Sequence, residues 1–92
     1  MVKIFTSKDK LYTFKVSECT ALKTIDFDFT RGYPIVERKP ALFIEWENTK
    51  GVKLNALAFA EMPTSNEEFA EMWENEFVWN SDPETMRTVQ II

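Results

Sequence analysis

A chain of 92 residues with a formal charge of −4 and no histidine lacks the usual general base and zinc ligand, and it excludes every Ser-His or Cys-His nucleophile system. With 45% hydrophobic and 28% charged residues, and only two Gly and four Pro, it falls among globular chains and away from disordered or fibrous ones. The surface scaling law gives about 5,500 Å² folded against ~15,700 Å² unfolded, enough to bury one core, so a single domain spanning 1–92 is expected.

The first half reads as sheet. Val2, Ile4 and Thr6 alternate with Lys3 and Phe5, and the polar Ser7-Lys8-Asp9-Lys10 leads into Leu11 to Val16, where Tyr12, Phe14 and Val16 share a face: a hairpin. Leu22 to Thr30 sets Ile25, Phe27 and Phe29 against Thr24, Asp26, Asp28 and Thr30, the pattern of a half-buried strand. Arg31-Gly32-Tyr33-Pro34 is a turn signal, and Ile35 to Arg38 is too short for more than an irregular or edge strand before Pro40. Leu42, Ile44 and Trp46 then face one way, Asn48-Thr49-Lys50-Gly51 makes a turn, and Val52 to Glu61 returns as the hairpin partner, its alanines notwithstanding.

At Pro63 the period changes from 2 to 3.6. Ser65-x-x-Glu68 and Thr64-x-x-Glu67 both fit a capping box, and Phe69, Ala70, Met72, Trp73, Phe77 and Trp79 form the apolar arc of a helix expected from residue 65 to Asn80. Ser81-Asp82-Pro83-Glu84 ends it. Thr85 to Ile92 is β-branched enough for a final strand, with a short helix opened by Asp82 and Pro83 as the alternative. The fold class that follows is α+β: an antiparallel β-sheet of about five to six strands with one amphipathic helix packed on one face. Phe69, Trp73 and Phe77 are expected to pack against Ile25, Phe27 and Phe29, the two strongest apolar faces of opposite type.

Charge is unevenly spread. Residues 1–53 carry a net +3, whereas Leu54 to Met86 contain no basic residue and eight acidic ones. Glu67, Glu68, Glu71 and Glu74 lie opposite the apolar arc as an acidic helix face, with like-charge neighbours costing about 0.2–0.5 kcal/mol each. The ordinary reading is a solvated face; the functional one is a carboxylate ridge for a basic partner.

Other constellations carry less. Asp26/Asp28 and Glu45/Glu47 would supply four oxygen ligands only if their strands were adjacent in register, and acidic residues alternating with aromatics are the ordinary outer face of a strand. Cys19 reads as a buried, inert thiol that cannot form an internal disulfide. Gly32 and Gly51 are isolated turn glycines and make no phosphate loop. Lys3, Lys8, Lys10, Lys15 and Lys23 among Phe5, Tyr12 and Phe14 suggest a nucleic-acid surface, which the overall negative charge disfavours. No apolar run approaches the ~20 residues of a membrane helix, and the start turns polar too early for a signal peptide, so a cytoplasmic protein without membrane contact is expected.

The sequence therefore points to a non-enzymatic protein-binding module with no catalytic residue, metal or cofactor. Its expected contact residues are Glu67, Glu68, Glu71, Glu74 and Trp79, and its expected partner is another protein with a basic surface. Small acidic domains of this kind include viral and mobile-element inhibitors of nucleic-acid-handling proteins. The alternative is a structural or assembly subunit, a homo-oligomer formed through sheet edges.

Overall fold

Two strands much longer than their neighbours set the shape of the protein, which the computed structural model describes over residues 1–75 and 86–92. Strand β1 spans Val2–Thr6, β2 Thr13–Asp28, β3 Tyr33–Glu47, β4 Lys53–Ala58 and β5 Gln90–Ile91, with helix α1 at Asn66–Asn75 between β4 and β5. All pairings are antiparallel, in the order β1-β2-β3-β4, and β5 joins β2 beside the end of β1. The fold is thus α+β, a five-stranded antiparallel sheet carrying one helix.

β2 does not break after Val16, and β3 does not stop at Pro40. Instead of separate short strands, the ladder runs from Lys15↔Glu45 to Asp28↔Tyr33. Its turn is closed locally: the Asp28 carboxylate accepts the N–H groups of Thr30 (3.0 Å) and Arg31 (3.1 Å), and Gly32 takes φ 77° and donates to the Asp28 carbonyl at 2.8 Å. Pro40 interrupts nothing because its position faces away from β2. Opposite Leu42, the Glu18 N–H donates to the Met1 carbonyl and the Glu18 carbonyl accepts from the Ile92 N–H. Two residues further on, Thr20 and its partner Pro40 likewise direct their backbone groups outward, where a missing N–H costs the ladder nothing.

One sheet face is closed by α1. Ser65 caps the helix, its Oγ accepting the Glu68 N–H at 3.1 Å, so of the two capping registers the Ser65 one is used. Phe69 stacks on Phe5 with centroids 5.0 Å apart and packs on Phe14 at 4.8 Å; Trp73 meets Phe14 at 4.8 Å and Trp46 at 5.0 Å. The helix therefore packs on Phe5, Phe14 and Trp46. Ile25, Phe27 and Phe29, expected as its partners, are exposed instead. Phe77, the expected helix end at Asn80 and Ser81 to Glu84 lie outside the described residues. On the opposite sheet face, Met86 and Val89 pack over the buried Cys19, Ala21, Ala41 and Leu57. The final strand is only Gln90–Ile91, shorter than the expected 85–92.

The returning strand β4 keeps the expected hairpin: Trp46 pairs with Leu54 across a turn in which Gly51 adopts φ 80° and donates to the Asn48 carbonyl. β1, β4 and β5 all pair near one end of the long ladder, so β2 and β3 continue alone beyond Leu22 and Arg38 as a two-stranded arm. Sixteen residues at ~3.3 Å rise reach about 50 Å, which accounts for the 50 Å long axis against 28 and 24 Å across. The radius of gyration, 14.5 Å, exceeds the ~12 Å of a compact chain of this length for the same reason.

Candidate interaction surfaces

The acidic helix face is the surface that the sequence nominates. Glu67, Glu68, Glu71 and Glu74 are all exposed, while Trp79 lies outside the described residues. Glu68 also closes the start of the helix, where one of its carboxylate oxygens accepts both the backbone N–H and the hydroxyl of Thr64 at 2.7 Å. The backbone donor first, and then the hydroxyl, hold this carboxyl below the usual glutamate range. No Lys or Arg lies within 4 Å of Glu67, Glu71 or Glu74 among the described residues. A groove of about 680 Å³ runs beside Glu61, Glu68 and Glu71, floored by Met62 and Met72.

The arm is the second surface. Ile25 is 49% exposed, Phe27 40%, Phe29 87% and Val36 47%, and Tyr33 and Ile35 are exposed as well. A β-bulge between Thr24 and Asp26 shifts the register, so the alternation read from the sequence does not carry through it. Beyond the bulge Phe27 pairs with Pro34 and is joined at the tip by Phe29, ring centroids 4.9 Å apart. On the same face the pairs Thr24↔Val36 and Leu22↔Arg38 lead back to the root. There Arg38 is held by its Nη1, which donates to the Thr88 carbonyl (3.0 Å) and the Thr20 hydroxyl (3.1 Å).

Both edges of the arm are partly capped against a further strand. On the β2 edge the Leu22 N–H is taken by the Thr88 hydroxyl at 3.2 Å, the bulge follows, and the Phe27 N–H is taken by the Asp26 carboxylate at 2.7 Å. On the β3 edge Pro34 and Pro40 present no N–H, while Val36 and Arg38 between them keep theirs turned outward. The arm thus offers its side-chain faces and, between Pro34 and Pro40, a short open stretch of β3 backbone.

The remaining candidates are separated or structural. Asp26 sits opposite Ile35 and Glu45 opposite Lys15, ten positions along β3, so the two acidic pairs stand about 30 Å apart and share no site. Among the described residues no three potential ligands gather to hold a metal ion. Ser7 donates to Asp9 at 2.6 Å and accepts the Tyr12 N–H, closing the β1–β2 turn; this bond, and the Leu11 N–H after it, lower the Asp9 carboxyl. Cys19 is fully buried, and burial pushes its thiol up. No helix among the described residues is long and apolar enough to cross a membrane.

The sequence reading missed the arm because it counted Phe27 and Phe29 as core. Periodicity carried no signal of it, because the runs flanking Arg31-Gly32-Tyr33-Pro34 become strands of 16 and 15 residues only through their pairing with each other. Comparison with protein-family models finds no match, and neither do comparisons with curated proteins and with solved structures.

Proposed function

We propose that the protein is a non-enzymatic protein-binding module whose contact element is the β2–β3 arm. The observation that carries this is a two-stranded ribbon that holds six large apolar side chains in water, Phe29 at 87% exposure foremost. Phe27, Phe29 and Val36 share one face and Tyr33 and Ile35 lie on the other; the first face alone leaves about 400 Å² uncovered, within the range of the largest apolar patch of a typical monomer. At ~25 cal/mol per Å² such an area supplies a gross gain of roughly 10 kcal/mol, most of it offset by lost motional freedom on association. Exposed carboxylates each contribute only about 0–1 kcal/mol in solvent, so the arm outranks the helix face as the source of affinity.

Glu67, Glu71 and Glu74, without a Lys or Arg within 4 Å among the described residues, support a second reading, in which the helix face meets a basic protein such as one that handles nucleic acid. Photocrosslinking separates the two. With benzoylphenylalanine placed at position 29 or at position 71 in cells that make the protein, the arm reading expects a crosslinked protein from 29 and none from 71. Crosslinking from 71 alone transfers the contact to the helix, and none from either position refutes the binding module.

A further inference from the structure

The reading of the arm as a contact element leaves its occupant open, and the chemistry of the arm names one. Resting on that reading, we propose that the arm docks on the arm of a second copy of this chain, face to face and antiparallel about a twofold axis. Three features point there.

The first is the order of side chains along one face. From tip to root it runs Phe29 and Phe27 with Pro34, then Val36, then Arg38 with Leu22: aromatic, aliphatic, cationic. Turned over on itself about Val36, this series places each Arg38 on the other copy's Phe27–Phe29 pair and Val36 against its own copy. A guanidinium over an aromatic face is a favourable contact, and the twofold axis makes it twice. The second is that Arg38 is already in place. Its hydrogen bonds to Thr20 and Thr88 fix the guanidinium at the arm root, and no carboxylate lies within 4 Å of it among the described residues. Little ordering is left for association to impose. The third is that Thr88 and Asp26 take two N–H groups of the β2 edge and Pro34 and Pro40 withhold two from the β3 edge, which makes strand addition less favourable than stacking of faces.

The area sets the strength. Each copy contributes about 400 Å² of this face, some 800 Å² in all, below the ~1,200 Å² at which specific complexes become stable. The dimer is therefore weak and reversible.

Sedimentation velocity of the full chain, from about 10 µM to 1 mM, should show a monomer–dimer equilibrium within this range. Val36→Asp places two carboxylates at the axis and should leave a monomer throughout with an unchanged circular-dichroism spectrum. Position is read separately in a Cys19→Ser background: Val36→Cys should form a covalent dimer under oxidised glutathione at least tenfold faster than Ile4→Cys, an exposed position on β1. A wild-type monomer over the whole range, or equal crosslinking from the two cysteines, overturns the self-docked arm. If it is overturned while position 29 still crosslinks a different protein, the arm remains the contact element and only the identity of its occupant fails. If position 29 crosslinks nothing, both fail.

Discussion

Replacing Phe69 by alanine tests where the core lies. Phe69 is 2% exposed and touches three rings: Phe5 at 5.0 Å, Phe14 at 4.8 Å and Trp73 at 5.7 Å. Truncating a buried Phe costs about 3–5 kcal/mol, and the upper half of that range applies here. Phe5 and Phe14 face each other across the β1–β2 ladder and cannot move toward the vacated space, and each lost ring pair removes a further ~0.5–1.5 kcal/mol beyond its area. Against a total stability of roughly 5–14 kcal/mol for a chain of this length, Phe69→Ala should be close to unfolding. Urea denaturation followed by tryptophan fluorescence reads this directly, since Trp46 and Trp73 border the same cluster. The midpoint should fall by more than about 1 M. Should the alanine variant fail to fold, Phe69→Leu keeps most of the volume and brings the loss into range. Phe29→Ala is the counterpart: at the arm tip it should cost within about 0.5 kcal/mol. A loss under about 1 kcal/mol at Phe69, or equal losses at the two positions, would refute the placement of the helix on Phe5 and Phe14.

Two further outcomes follow from perturbed groups. Because Thr64 holds the folded Glu68 carboxyl below its ordinary value, the stabilisation is present above the ordinary range and disappears as pH falls through the lowered value. Glu68→Gln should therefore narrow the difference in thermal midpoint between about pH 7 and pH 3, and an unchanged difference would show that the Thr64 contact contributes nothing. Cys19 should react with an aqueous thiol reagent only as fast as the chain unfolds, since burial both excludes the reagent and raises the thiol. Reaction at the rate of a free thiol would mean that residues 86–89 do not cover that face.

Local signals were legible where local chemistry decides the outcome. The Ser65 cap, the Asn48 to Gly51 turn and the two short hairpins each depend on residues within a few positions of one another, and the sequence shows them. The choice of core was not local. Phe27 and Phe29 carry the same apolar pattern as Phe5 and Phe14, and periodicity cannot tell which aromatic pair lies under the helix. That depends on which part of β2 has β1 beside it. The bulge at Ile25 was illegible for a related reason, since it belongs to the pairing of two strands and not to either one. Exposure of Glu67, Glu71 and Glu74 followed from helix geometry, and the Ser65-x-x-Glu68 capping box announced that the Glu68 carboxylate turns back to the helix start, though it takes the Thr64 N–H and hydroxyl and not the Ser65 N–H.

The meander order of the sheet has a consequence for how the chain reaches this state. β1 to β4 each pair with their sequence neighbours, so the ladders can zip outward from tight turns with short loops to close. Only β5 breaks the rule: Thr20 meets Gln90 across 70 positions, whereas Glu47 meets Lys53 across six. Closing the longer loop costs about 2 kcal/mol more in chain entropy, for a strand of only two residues. Assembly of the four-stranded meander therefore precedes docking of the C-terminal strand, and the reverse journey begins there. In hydrogen exchange the amide of Ile92, bonded to the Glu18 carbonyl, should open well before that of Val16 in the middle of the ladder.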